Sequence, residues 1–220
     1  MSILIAKNLV KIYESCNIVD NVSLYIKSGE IIGLFGPQNS GKTTIGYMLM
    51  GISPISEGKI TINEKDIRDF SISNRNAFGI GYIPQKPSIF RNLSVYNNII
   101  SIVQIRNDIN EREHHIYVDN LMKELHIEHL KDNMGSDLLG SNRKIVEIAR
   151  TLAANPKFII MDEPFSNIDN NSRKILETAI NYLIKIGIGV LIIEQNAIET
   201  LKICKRAYVL NKGKIIMHFD

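Results

Sequence analysis

Residues 31–44 read IIGLFGPQNSGKTT, a short apolar run followed directly by a glycine-rich turn. The turn consists of Gly36, Pro37, Gln38, Asn39, Ser40, Gly41, Lys42, Thr43 and Thr44 and matches the pattern G-x-x-x-x-G-K-[ST]. It sits where that pattern has a mechanism, behind a strand-like segment and ahead of a helical stretch that runs through Met50. Glycines let such a loop curl so that successive backbone N–H groups face phosphate oxygens, and the following helix presents its positive end to the same point. Lys42 then reaches the β and γ phosphates of ATP, and the Thr43 hydroxyl is a hard oxygen donor for Mg2+. The bland alternative is a strand-to-helix turn that binds nothing.

A second apolar run, FIIMDEP at 158–164, ends in two adjacent carboxylates. Paired acids at a sheet edge are expensive without cations. Asp162 is therefore read as holding Mg2+ through water, and Glu163 as polarising the water that attacks the γ-phosphate. Taken alone, Asp-Glu before Pro164 reads as a surface turn.

The remaining segments alternate around these two. Runs 31–35, 158–161 and 189–193 are apolar on both faces, as expected of parallel strands covered by helices. Residues 2–10, 19–26 and 59–62 alternate or are β-branched, with turns expected at Ser28-Gly29 and Glu57-Gly58, and predict an antiparallel patch. Segments 95–105, 110–126 and 142–154 read as helices, the second with Ile116, Leu121, Met122 and Leu125 at helical spacing. The fold class expected is α/β: a P-loop NTPase (RecA-like) parallel-sheet core with an N-terminal antiparallel β patch and an inserted helical subdomain. Residues 1–85 and 156–220 form the core and 86–155 the insert, within one domain.

Composition narrows the class further. With 220 residues, 45% of them apolar, the chain can bury one substantial core. A formal charge of +3, with dispersed Lys and Arg, argues against a nucleic-acid partner. No apolar run reaches the roughly 18–20 residues a membrane-spanning helix needs. The opening MSILIAKNLV has neither the basic segment nor the long apolar stretch of a signal peptide, so a cytoplasmic location is expected. Cys16 and Cys204 have no metal-ligand spacing and are expected to be packing residues.

With both motifs placed, the sequence resembles the ABC transporter ATPases over nearly its whole length. The resemblance implies that Tyr13 stacks on adenine and that Gln85, in GYIPQ, touches the metal and the attacking water. It also implies that Asp169, closing SNID, crosses the interface of a homodimer in which Gly140 and Ser141 face the opposite subunit's nucleotide. By themselves, Tyr13 reads as a packing aromatic, Gln85 as a loop residue and Asp169 as a helix cap. The segments GYIPQKPSIFRNLSVYNNI, LHIEHLKDNMG, VEIARTLAANPKFII and KRAYVLNKGKI are similar to the lipopolysaccharide-exporter ATPases, the LptB type. ATPases of branched-chain amino-acid importers are the nearest alternative. The likeness implies two integral-membrane subunits of the LptF/LptG type docking near Phe90, Arg91 and Tyr96, which otherwise read as helix-edge packing. It further implies a peripheral position on the cytoplasmic face of the bacterial inner membrane, with no direct contact to the transported substrate.

Two departures bear on activity. The family signature LSGGQ or LSGGE becomes LLGSN at 138–142, so Leu139 replaces a serine and Ser141 a glycine. The family's switch histidine becomes Gln195 in LIIEQN, and His114, His115, His126, His129 and His218 lie in other segments. A glutamine donates a hydrogen bond but does not titrate. Loss of a positioned donor costs about 10²–10³ in rate, so weakened hydrolysis is expected, with catalysis resting on Glu163, Gln85 and Gln195. The competing function is a nucleotide-binding module that scarcely hydrolyses ATP and partners an intact ATPase.

Overall fold

The chain opens with a hairpin of β1 (Ile3–Tyr13) and β2 (Cys16–Lys27), then enters β3 (Ile31–Phe35) and α1 (Lys42–Met50). Strands β4 (Glu57–Ile62) and β5 (Lys65–Asp66) return to the hairpin and complete an antiparallel sheet of order β2-β1-β4-β5. A short α2 (Ile72–Ala77) and β6 (Ile80–Ile83) follow, then three helices, α3 (Val95–Val103), α4 (His114–Glu124) and α5 (Gly140–Ala153). The chain finishes through β7 (Phe158–Asp162), α6 (Asn170–Lys185), β8 (Gly189–Glu194), α7 (Ala197–Thr200), β9 (Arg206–Asn211) and β10 (Lys214–Phe219). This is a computed structural model, and it describes residues 1–166 and 168–219.

The second sheet has the order β10-β9-β3-β8-β7-β6, parallel except for β10. β3, β7 and β8 are buried at every position, because α5 and α6 cover one face and α1 with the antiparallel sheet the other. Register does the rest. Phe35 pairs with Glu194 and Asp162 with Ile193, so the three strands end within one residue of each other and Gly36, Glu163 and Gln195 emerge at the same edge. Functional groups gather at that carboxyl edge as a matter of topology.

Several local expectations are corrected. β1 and β2 outrun their alternating patterns because register shifts between Ala6 and Ile12 break the period-two signal without ending the pairing. Glu57-Gly58 begins β4 instead of forming a turn. Gly58 has φ +101°, and a Cβ there would stand 2.4 Å from the Asn8 carbonyl oxygen. The segment expected as one helix over 110–126 divides into a 3₁₀ turn, Glu111–Glu113, and α4. Ile116 is 61% exposed and Val118 is buried in its place, while Leu121, Met122 and Leu125 are buried as their spacing implies. α5 starts two residues ahead of Asn142. Cys16 is exposed at the hairpin, so packing does not account for it, whereas Cys204 packs against the core and burial pushes its thiol up to about 12.

Two buried cations fix the scaffold. Arg206 pairs with Glu30 at 2.6 Å and lies 3.8 Å from the centre of the Tyr25 ring, joining β9 to the start of β3. Arg75 is 1% exposed and donates to the carbonyls of Met48, Leu49, Phe70 and Arg68. It thereby satisfies part of the last turn of α1, whose carbonyls have no partner within the helix. No helix among the described residues is long and apolar enough to cross a membrane.

Candidate functional site

Between the end of β3 and the start of α1 the chain must reverse within six residues, pressed against β2 and β9. A Cβ on Gly36, at φ +154°, would lie 2.1 Å from the Leu210 carbonyl oxygen, and one on Gly41, at φ +104°, 2.6 Å from that of Ile18. Both glycines are therefore steric requirements of the loop. Gly41 caps α1 without a side-chain acceptor, which leaves the first amides of the helix and its positive end facing the loop. Lys42 folds back over this ring, its Nζ donating to the carbonyls of Gly36 and Pro37 at 2.8 Å each and to Ser40 Oγ at 3.4 Å. Burial holds the Lys42 pKa below its ordinary value, and Glu163, Asp162 and Glu194 partly counter that.

The acids stand opposite. Asp162, 2% exposed, accepts from Thr43 Oγ1 at 3.4 Å and from the Tyr82 hydroxyl at 3.2 Å. Burial raises the Asp162 pKa, while those two hydrogen bonds oppose the rise. Burial, helped by Asp162, also pushes the Tyr82 phenol upward, so it remains a donor. Glu163 follows in a left-handed backbone conformation, φ +49°, with its N–H bonded to the Ile193 carbonyl at 2.8 Å. Its carboxylate is then held on both sides. Gln85 Nε2 donates to Oε2 at 2.6 Å and Gln195 Nε2 to Oε1 at 2.8 Å. The order β8-β7-β6 explains the arrangement, since Gln195 follows β8 and Gln85 follows β6, on either side of β7.

These groups line a cleft of about 380 Å³, formed by Ile18, residues 38–44, Gln85, Glu163 and Gln195. Thr43 and Asp162 offer the hard oxygen donors that suit Mg2+. Among the described residues no cluster of three or more His, Cys, Asp or Glu could hold a metal by itself, so such an ion would draw its other ligands from phosphate and water. A model of the family described as ABC transporter matches residues 19–166, more than half of the chain. The chain belongs to the ABC transporter family.

It is the ATP-binding subunit of an ABC transporter, a P-loop ATPase cassette. The cassette is 48% identical over 218 residues to the lipopolysaccharide export system ATP-binding protein LptB of Escherichia coli (strain K12), covering 99% of this chain and 90% of that one. It is 47% identical over 216 residues to the LptB of Haemophilus influenzae, covering 98% and 90%. Among solved structures, the ADP conformation of the ATP-binding cassette MJ1267 superposes with TM-score 0.88 at 28% identity, covering 99% of this chain and 91% of that one.

Some residues singled out in the sequence lie outside the cassette's cleft. Tyr13 is half-exposed at the end of β1, with its hydroxyl 3.2 Å from Ser53 Oγ and Lys11 over its ring. Gly36, Pro37 and Asp162 form a layer behind the lining, reached through Lys42 and Thr43. Gly140 and Ser141 open α5, preceded by Leu139 at the N-cap with no side-chain bond to the helix and 72% exposure. Asp169 caps α6, accepting from the N–H groups of Asn171 and Ser172 and from Ser172 Oγ, and these bonds hold its carboxyl below the usual range. Asn167, within SNID, lies outside the described residues. Phe90 and Arg91 are exposed, with the Arg150 guanidinium 4.3 Å from the centre of the Phe90 ring, while Tyr96 stacks on His115.

Three contributors went unread in the sequence. Ile18 carries no signal, because only packing of the loop on β2 brings it in. Tyr82 was hidden inside the apolar pattern of β6. Glu194 had a signal, since it ends β8 as Asp162 ends β7. Its carboxylate accepts from the Phe165 N–H at 3.0 Å, and burial raises its pKa.

Proposed function

We propose that the cassette binds Mg-ATP in this cleft and hydrolyses it slowly, as the energy-coupling subunit of lipopolysaccharide export. The observation that carries the proposal is the Glu163 carboxylate suspended between Gln85 and Gln195 at the mouth of the Lys42 loop. Bound Mg-ATP supplies the phosphoanhydride bond and an ion that neutralises charge developing on its β and γ oxygens. The backbone N–H groups of residues 38–44 face the phosphates, and Lys42 exchanges the carbonyls of Gly36 and Pro37 for phosphate oxygens. Thr43, Gln85 and Asp162 hold the ion, and Tyr13 meets the adenine. Glu163 accepts the proton of the attacking water, and Gln195 orients that carboxylate and donates toward the γ-phosphate.

Two copies form the working unit, each lending Gly140, Ser141 and Asp169 to the other's nucleotide. Leu139 brings no donor to that junction and Gln195 no titrating group, which is why turnover is slow. Residues 86–155 act as the docking lobe, receiving LptF/LptG-type membrane subunits near Phe90, Arg91 and Tyr96. The cassette then sits on the cytoplasmic face of the inner membrane without touching the substrate. Support for the substrate comes from the LptB proteins of E. coli and H. influenzae.

Leu139 also favours a second reading, a poorly hydrolysing partner of an intact ATPase. Purified chain assayed alone, with LptF/LptG-type subunits, and with a second cassette separates the two. Homodimer turnover stimulated by the membrane subunits supports the first; turnover that appears only with another cassette replaces it.

A further inference from the structure

A cavity of about 650 Å³ opens where α5 and α6 meet the segment that follows α4, and none of its lining residues lines the nucleotide cleft. Its floor is apolar. Leu125, Ile127, Ile145 and Ala179 are buried there, with Tyr182 half-buried beside them. Its rim is basic, formed by the exposed side chains of Lys123, Lys185, His126 and His129, with Glu124 as the one acid. Among the described residues neither Lys123 nor Lys185 has a carboxylate partner.

His126 adds a second observation. It follows α4 in the left-handed conformation, φ +56°, where its N–H bonds to the Lys123 carbonyl at 3.0 Å and the next N–H to that of Met122 at 2.9 Å. Helices that end this way take glycine most cheaply. Here the position carries an imidazole that lines the cavity.

An apolar floor of ligand-pocket volume with its charged and polar groups, Asn142 and Thr178 among them, on the exposed rim has the build of a small-molecule site. Two unpaired lysines at its mouth set the sign of the ligand. We propose that this cavity binds a single-chain anionic amphiphile, its alkyl chain on the Leu125, Ile145 and Ala179 floor and its head group between Lys123 and Lys185. No bond is made or broken.

The test uses the full chain and dodecanoate below its micelle-forming concentration, followed by calorimetry, with dodecanol as the uncharged control. The expected result is saturable binding of one molecule per chain, about tenfold weaker when Lys123→Glu and Lys185→Glu are combined. Binding is lost in Ala179→Phe, which fills the floor, while Mg-ATP affinity is unchanged in both variants. Should Ala179→Phe fail to fold, Ile175→Glu, at a rim position 49% exposed, serves in its place. Absence of saturable binding, equal binding of dodecanol, or affinity unmoved by all the variants overturns the proposal. So does an acidic amphipathic peptide that binds where dodecanoate does not, which makes the cavity a protein interface.

Discussion

Gln195 Nε2 donates to Glu163 Oε1 across 2.8 Å, from the end of the strand next to the one that carries the acid. An amide in that place orients the carboxylate but neither takes nor releases a proton. Gln195→His should therefore raise Mg-ATP turnover by about tenfold and add an acid limb to the pH–rate profile near the ordinary imidazole pKa of about 6.5. Steady-state rates of the two proteins across that range decide the matter. A variant with the parent's rate and profile would show that the side chain at 195 is not limiting.

Leu139 occupies an N-cap, where a hydroxyl would accept from the first free amides of α5. Leu139→Ser should stabilise the fold by about 1 kcal/mol and speed hydrolysis in the dimer. Urea denaturation reads the first effect and phosphate release the second. A lower urea midpoint would argue that the exposed leucine packs on something the fold needs.

Removing the proton acceptor should separate binding from chemistry. Glu163→Gln keeps the side chain's size but turns one of the two oxygens that accept from Gln85 and Gln195 into a donor; Mg-ATP affinity should stay within a few-fold while turnover falls by about 10²–10³ or more. Lys42→Ala should instead abolish detectable Mg-ATP binding. Calorimetry beside a turnover assay distinguishes the two losses, and comparable affinity loss in both variants would remove Glu163 from the role of base.

Glu194 gives a pH signature. Burial raises its folded pKa, so its ionised form weakens the fold near neutrality, and the stability it contributes at low pH is lost as pH climbs through that raised value. Glu194→Gln keeps an acceptor for the Phe165 N–H and carries no charge. The variant should be more stable than the parent at neutral pH, with the gap closing as pH falls toward the usual carboxylate range. A gap that is constant with pH, or that widens in acid, would contradict this assignment.

The buried pair of Arg206 and Glu30 is expected to be asymmetric in its removal. Glu30→Ala alone leaves an uncompensated guanidinium and should destabilise by about 3–5 kcal/mol, whereas combining Glu30→Leu with Arg206→Met should recover most of that loss. Chemical denaturation of the three proteins measures both. A double replacement no more stable than Glu30→Ala would mean that the contact of Arg206 with the Tyr25 ring outweighs the ion pair.

What the sequence disclosed follows from where information is local. The loop 36–44 and the acids after 158–161 are legible because each is a local run of particular residues at fixed spacing, and β3 appeared with its boundaries intact because burial on both faces leaves an unbroken apolar run. The opening hairpin was underestimated, since its bulges scramble alternation while cross-strand bonds persist. Ile116 satisfied the helical period yet faces water, and the start of α5 at Gly140 rests on a positive φ that LLGSN does not announce. The partnership of Glu163 with Gln85 and Gln195 depends on strand order, which joins residues 78 and 32 positions away in the chain. No spacing rule reports that.

The four carbonyls gathered by Arg75 have a mechanical meaning. The far end of α1 is riveted to α2 by a cation that has no room to swing, while its near end, at Gly41 and Lys42, is the part that a triphosphate would grasp. One buried side chain thus makes the far end of α1 and the chain leading into α2 a single hydrogen-bonded joint.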